Sequence, residues 1–234
     1  MLTTQKRPVS RAFALVALAL VAAVASTFVL VSTVALASRA APGVIHVARA
    51  RTLPAGTLVT LDGSVTVPSG AFKSGTSDEG FALQDRSGGL YVSTAANLAL
   101  RAGQRVRVTG RLADSNGQLI LVPTGAGDVR ASGRGASVRT QAVPTGRIGE
   151  ATEGRLVQVQ GKITKPVGND LPYGYRVFFN DGSGEVQAFV YVSTGIDVKG
   201  LTPGQRIAVT GFSGQYKDHY EVIPRFQSDI RRIR

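Results

Sequence analysis

The stretch that decides the fold is GQRVRVTG at Gly103–Gly110, because it returns as GQRIAVTG at Gly204–Gly211, 101 positions further along the chain. Other pieces recur at nearly the same separation. LYVST, which begins at Leu90, returns as VYVST, which begins at Val190. A repeat of this length is a whole domain and not one unit of a solenoid. The sequence therefore predicts two domains that share one fold.

Each repeat begins with apolar and polar residues in alternation, a pattern that predicts a half-buried β-strand. Gly63 and Gly161 occupy matching places in these strands. A glycine inside a strand indicates a bulge or a sharp bend, as required where one strand joins both sheets of a barrel. The residues predicted to point inward are Val59, Leu61, Val65 and Val67 in repeat one, and Val157, Val159 and Ile163 in repeat two.

The remainder of each repeat predicts four more strands. The second strands, with Phe81 and Phe179 facing inward, end in Asp- and Gly-containing turns that are typical of hairpins. A connector without strand character separates the third strand from the fourth, and the fifth strand stops at a proline. This order predicts an all-β chain of two tandem five-stranded OB-fold barrels.

Four motifs also carry a family resemblance. They are LPAGTLVTLDGSVTVPSG (Leu53–Gly70), GFALQDRSGGLYV (Gly80–Val92), GQRVRVTGRL (Gly103–Leu112) and NGQLIL (Asn116–Leu121). These motifs resemble the OB-fold modules of exported bacterial nucleases and related envelope proteins. The resemblance covers nearly all of residues 44–133 and, more weakly, residues 142–234. It implies the OB fold, while the stretches outside the repeats are too short to hold a nuclease domain.

The N-terminal segment is an uncharged apolar run over residues 12–37, preceded by Lys6, Arg7 and Arg11. As a helix it would exceed the ~30 Å hydrocarbon core of a bilayer, and the basic flank predicts that the repeats lie outside the cytoplasm. Ala35-Leu36-Ala37 has the form of a signal-peptidase site. Secretion and membrane anchoring therefore both stay open. The length of the apolar run favours anchoring.

The predicted organisation has four segments. They are a signal peptide or hydrophobic anchor helix at 1–41, repeat one at 44–133, a linker at 134–145 and repeat two at 146–234. The formal net charge is +12, and both repeats are basic on their own. Such a field attracts polyanions, although a basic surface also serves solubility.

Catalysis is not indicated. The chain has no cysteine and two histidines, neither in a metal-ligand spacing. Asp85 and Asp181 recur, but aspartates that cap hairpin turns recur for structural reasons. We expect a protein that is not an enzyme and that uses no metal or other cofactor.

Binding is the function that the residues favour. Repeat two has ten aromatic residues and repeat one has three, and single-strand binders combine aromatic platforms with a basic groove. OB barrels bind across strands two and three, between two loops. The candidate nucleic-acid-binding residues of repeat two are Lys162, Lys165, Tyr173, Arg176, Phe178, Phe189, Tyr191, Tyr216 and Lys217, and those of repeat one are the basic stripe Arg105, Arg107 and Arg111.

The expected partner is single-stranded nucleic acid or another polyanion, with the membrane contacted through residues 12–37. Two alternatives stay open. The aromatic rings can instead pack between the barrels, and the protein can be an envelope interaction module that binds an envelope protein or a polysaccharide.

Overall fold

The structure is a computed structural model that describes residues 41–73 and 78–234. The apolar run at 12–37 lies outside the described residues, as does the predicted segment 1–41 except for its last residue. None of the helices within 41–73 and 78–234 is long and apolar enough to cross a bilayer.

The secondary structure repeats once along the chain. The first half contains β1 (Val44–Ile45), α1 (Val47–Ala50), β2 (Leu58–Val67), β3 (Phe81–Gln84), β4 (Gly89–Val92), β5 (Gln104–Ser115), β6 (Gln118–Val122), a 3-10 helix (Ala126–Asp128) and β7 (Val129–Arg134). The second half contains β8 (Gln141–Ala142), a 3-10 helix (Thr145–Arg147), β9 (Leu156–Ile163), β10 (Gly168–Asp170), β11 (Gly174–Asn180), β12 (Glu185–Tyr191), a 3-10 helix (Val192–Thr194), β13 (Arg206–Tyr216), β14 (His219–Ile223), a 3-10 helix (Gln227–Asp229) and β15 (Ile230–Arg232). Strand β8 lies inside the stretch predicted to be the linker.

Each half closes into a five-stranded barrel. Barrel one has the order β2-β3-β4-β6-β5 and closes where β5 pairs with β2; barrel two has the order β9-β11-β12-β14-β13 and closes where β13 pairs with β9. In both, the third and fifth strands run parallel and the other neighbours run antiparallel. This is the strand order of an OB fold. The predicted all-β architecture of two five-stranded barrels is confirmed.

The matched glycines lie where the first strand of each barrel bends from one sheet into the other. Strand β2 pairs with β5 from Leu58 to Ser64 and with β3 from Ser64 onward. A Cβ atom on Gly63 would lie 2.8 Å from the carbonyl oxygen of Gln84, and one on Gly161 would lie 2.8 Å from the carbonyl carbon of Asn180. Only glycine lets the two backbones come this close.

The inward residues of both barrels are placed as predicted, with one exception. Phe81 and Phe179 are fully buried in the cores of barrel one and barrel two. Val59, Leu61 and Val65 also lie in the core of barrel one, but Val67 does not. The pairing of β2 with β3 shifts between Val65 and Val67, and this irregularity turns Val67 outward. The prediction for Val67 was wrong because alternation fails across a bulge.

The two barrels belong to one compact unit, Ala40–Arg234. Val67 packs in an apolar cluster that joins them, together with Phe72 from barrel one and Phe212 and Ile223 from barrel two. Polar contacts flank the cluster. The Arg225 side chain donates to the carbonyl oxygen of Thr66 at 2.7 Å, the Arg51 side chain donates to Glu153 at 3.0 Å, and the Leu156 amide donates to the Gln84 side chain at 2.8 Å.

The recurring aspartates are structural anchors in both barrels. The backbone amide of Val47 donates to Asp85 Oδ2 at 3.1 Å, and that of Thr145 donates to Asp181 Oδ2 at 3.2 Å. Their other carboxylate oxygens accept hydrogen bonds within the hairpin turns. Each aspartate therefore fixes the segment that precedes its barrel to the turn after the second strand.

Candidate functional site

A cleft of about 750 Å³ lies between the two barrels. Its floor is the outer face of β11, β12 and β14, and residues of barrel one form the facing wall. The lining residues are Phe72, Asp78, Tyr91, Ser115, Asn116, Gln118 and Ile120 from the first half, and Asp170, Tyr173, Arg176, Gln187, Phe189, Tyr191, Phe212, Gln215, Tyr216, His219, Glu221 and Ile223 from the second.

Strand alternation places the aromatic rings on this floor. Val186, Ala188 and Val190 fill the core of barrel two, so the intervening residues of β12 face outward. Phe189 is 8% exposed, and its ring packs edge-on against that of Tyr191 with centroids 4.8 Å apart.

Two further rings are more exposed, at the edges of the cleft. Tyr173, in the loop between the first and second strands of the barrel, is 49% exposed, and Tyr216, the last residue of β13 at the turn between the fourth and fifth strands, is 45% exposed. These are the two loops that flank the ligand in OB folds. Tyr173 and Tyr216 are therefore the rings that a ligand can reach without any rearrangement of the core.

Carboxylates also line the cleft. Glu221 is only 5% exposed and accepts a hydrogen bond from Gln187 Nε2 at 2.7 Å. Its Oε2 lies 3.6 Å from Nε2 of His219, and this contact raises the pKa of His219 above its ordinary value. Asp170 lies 3.9 Å from the guanidinium of Arg176.

Asp78 is the third carboxylate, and it accepts a hydrogen bond from Ser93 Oγ at 2.7 Å. Each carboxylate of the lining thus faces a donor or a cation of the protein itself. The cleft interior is aromatic and rich in hydrogen-bond acceptors, with Arg176 as its cation.

Five of the predicted site residues come together in this cleft. They are Tyr173, Arg176, Phe189, Tyr191 and Tyr216.

Three other predicted residues, Lys217, Lys165 and Phe178, do not line the cleft. The ammonium of Lys217 lies 5.2 Å from the centroid of the Tyr216 ring. The ammonium of Lys165 covers the ring of Phe178, 4.4 Å from its centroid, and also pairs with Glu185. Both rings thus have a lysine over them, but Phe178 is only partly exposed whereas Tyr216 is 45% exposed, so Tyr216 is the more open platform.

Lys162 and the basic stripe of repeat one lie elsewhere. Lys162 lines a separate depression on barrel two. Arg105 and Arg107 both bind Asp62, at 2.8 and 3.0 Å, and Arg111 donates to the carbonyl oxygen of Gly56 at 2.8 Å.

The Asp62 carboxylate offsets part of the charge of this stripe. Burial raises the pKa of Asp62, but hydrogen bonds from Arg105 and Arg107 outweigh it and hold the pKa below its ordinary value. At neutral pH the stripe consequently includes a negative charge between two of its cations. None of the three arginines of the stripe lines the cleft that contains Tyr216.

Barrel one contributes residues to the cleft that sequence reasoning missed. The ring of Phe72 stacks on that of Tyr191 with centroids 5.5 Å apart, so the inter-barrel packing and the cleft share their aromatic residues. Tyr91 packs edge-on against Phe212 of barrel two, with centroids 6.1 Å apart. Barrel two thereby covers the outer face of the second and third strands of barrel one. The sequence carried a signal for this, because Phe212 replaces Arg111 at the equivalent position of the repeat.

No family model and no curated protein matches the chain. Among solved structures, a murine DNA-binding protein bound with double-stranded DNA is 10% identical, with a TM-score of 0.41 over 70% of this chain and 90% of that chain. The OB domain of MM0293 from Methanosarcina mazei is 13% identical, with a TM-score of 0.35 over 41% of this chain and 86% of that one. The hypothetical protein ygiW from E. coli is 19% identical, with a TM-score of 0.31 over 39% of this chain and 91% of that chain. The OB-fold assignment rests on the strand order described above.

Among the described residues, no group of three or more His, Cys, Asp or Glu side chains is arranged to hold a metal ion.

Proposed function

We propose that this protein is a non-catalytic binding protein that holds single-stranded nucleic acid, with little sequence selectivity, in the cleft between its barrels. The observation that supports this most is the position of Tyr173 and Tyr216, two exposed rings that line the cleft at the two connections flanking it. Base stacking on such rings contributes ~1–3 kcal/mol per base and tolerates any sequence.

The charges of the cleft define how a strand would lie. The carboxylates of Asp78, Asp170 and Glu221 line the interior and repel phosphates, whereas the base edges can donate hydrogen bonds to them. The phosphates lie close to the cations, Arg176 of the cleft lining and Lys217 beside Tyr216. The net charge of +12 attracts the strand over longer distances.

A second candidate is an envelope interaction module that binds an oligosaccharide. The specific observation in its favour is the pairing of aromatic rings with amide and carboxylate groups such as Gln187 and Glu221. Sugar hydroxyls donate to such oxygens, and OB barrels also bind oligosaccharides. A neutral glycan needs no cations in the cleft.

Export belongs to the proposal as well. The basic residues before the apolar run at 12–37 support a position of both barrels outside the cytoplasm, anchored or secreted. A reporter fused after Arg234 that is active only in the cytoplasm would contradict this.

A titration of the full chain with labelled oligothymidylate at two salt concentrations separates the two ligands. Binding of a phosphate backbone releases counterions and weakens steeply as salt rises. Neutral oligosaccharides should bind equally at both salt concentrations. If oligothymidylate does not bind at low salt, nucleic acid is excluded and a glycan titration decides the second candidate.

A further inference from the structure

A depression of about 640 Å³ lies on the outer face of barrel two and is lined in part by Lys162, Asn180 and Arg206. These three residues form one row across three strands, because Lys162 is the register partner of Asn180 on β11 and of Arg206 on β13. Directly opposed residues in antiparallel strands point to the same face, with their Cβ atoms ~5 Å apart.

The row places two cations side by side. Like charges directly opposite each other in a sheet are destabilising. In the described part of the chain, Lys162 and Arg206 form no ion pair. Three other cations of barrel two, Lys165, Arg176 and Arg225, each pair with a carboxylate. An anion seated between the two cations would remove the repulsion.

The third member of the row supplies a neutral donor. The side-chain oxygen of Asn180 accepts hydrogen bonds from the backbone amides of Gly182 at 2.6 Å and Gly184 at 3.4 Å. This leaves the NH₂ group of Asn180 as the part of the amide that can donate to a ligand. The carboxylate of Asp181, which also lines the depression, accepts hydrogen bonds from Thr145 and Ser183.

In the equivalent row of barrel one, each side chain has a hydrogen-bond partner within the protein. It consists of Gln84, Ser64 and Arg105 in the same register. Gln84 accepts from the amide of Leu156 and Ser64 donates to the carbonyl oxygen of Ala136. Arg105 binds Asp62, in contrast to Arg206, whose barrel has Gln160 at the position of Asp62.

We propose that the depression of barrel two binds the phosphate group of an anionic ligand, held by Lys162, Arg206 and the Asn180 amide. This site lies on a different surface from the inter-barrel cleft and does not depend on the ligand proposed there. A phosphate fits because its several oxygens can accept from a guanidinium, an ammonium and an amide at the same time.

The test is a titration of the full chain with inorganic phosphate against chloride at constant ionic strength, followed by backbone amide NMR. Saturable shifts are expected at Gly161, Lys162, Asn180 and Arg206. Lys162→Gln or Arg206→Gln should each weaken phosphate binding about tenfold, the value of one charge-assisted hydrogen bond. The matched control is Arg105→Gln, which should leave phosphate binding unchanged.

Stability measurements provide a second readout that does not need the ligand. Either single variant should raise the free energy of unfolding in chloride, because it relieves the like-charge repulsion. Shifts that do not saturate, or an equal loss in Arg105→Gln, would overturn the proposal. Once inorganic phosphate has established the site, oligothymidylate and phosphatidylglycerol vesicles, each with and without Lys162→Gln, distinguish a nucleic-acid phosphate from a lipid headgroup.

Discussion

The ring of Phe72 in barrel one stacks on the ring of Tyr191 in barrel two, with centroids 5.5 Å apart and planes inclined by 21°. The loop that carries Phe72 is fixed on both sides of it. Ser193 Oγ donates to the carbonyl oxygen of Ala71 at 2.9 Å, and the backbone amide of Lys73 donates to Ser193 Oγ at 3.0 Å. Barrel one therefore builds one wall of a cleft whose floor belongs to barrel two.

Removal of the Phe72 ring should destabilise the protein and open the cleft. Phe72 is buried against Tyr191 and Phe212, so Phe72→Ala should lower the free energy of unfolding by about 3 kcal/mol or more. Urea unfolding measures this loss. The control is Phe226→Ala, because Phe226 is 41% exposed and its loss should change little. Equal effects of the two substitutions would contradict the packing described here.

The corner glycines should not tolerate a methyl group. Gly161→Ala places a Cβ against the backbone of Asn180, where the strand must move, and we expect a loss of ~1–3 kcal/mol in stability. Gly149→Ala is the matched control, because a Cβ there meets no atom within 4 Å. Thermal unfolding of both variants provides the comparison, and a stable Gly161→Ala protein would contradict the barrel corner.

Asp181 should make stability depend on pH in the acid range. Hydrogen bonds from Ser183 and Thr145 hold its pKa below the ordinary value of 3.8. A carboxylate with a lowered folded-state pKa stabilises the protein above that ordinary value, and the contribution is lost as the pH falls.

Unfolding of Asp181→Asn across this pH range tests the point. The variant should be less stable than the original protein at neutral pH, and the difference should shrink on acidification. Asp218→Asn is the control, because the Asp218 side chain is 97% exposed. A difference that is constant with pH would exclude the proposed linkage.

His219 should titrate above the ordinary histidine range. Its 3.6 Å contact with the Glu221 carboxylate is the largest cause of its raised pKa, and Asp218 adds to the effect. Protonated His219 should therefore stabilise the fold fully below the ordinary value of 6.5, and the contribution is lost as the pH rises through the raised pKa. In an NMR titration, Glu221→Gln should lower the pKa of His219 more than Asp218→Asn does. The reverse order would contradict the contact at the floor of the cleft.

Local sequence patterns were sufficient to predict most of each barrel. Alternation identified the core faces that contain Phe81 and Phe179, and Gly63 and Gly161 identified the corners. Alternation could not place Val67, because one irregularity in the pairing of β2 with β3 reverses the side that a residue faces.

The site was harder to predict, because it depends on contacts between the repeats. Each barrel considered alone placed Tyr173 and Tyr216 in the candidate site but gave no reason to include Phe72. It also placed Lys162 with Tyr216, although Lys162 pairs with Arg206, the first residue of β13, and Tyr216 is the last residue of that strand. Pairings such as that of Arg105 with Asp62 depend on strand register, which composition does not reveal.

The most direct test of the central claim is the affinity of the full chain for oligothymidylate when Tyr173 and Tyr216 are each replaced by alanine, with Phe226→Ala as the control. If the cleft binds the strand, each tyrosine variant should weaken binding by ~1–3 kcal/mol. The steepness of the salt dependence should stay the same, because no phosphate contact is removed. Phe226→Ala should bind as the original protein does. Unchanged affinity in both tyrosine variants, with their folding intact, would contradict the inter-barrel cleft as the binding site.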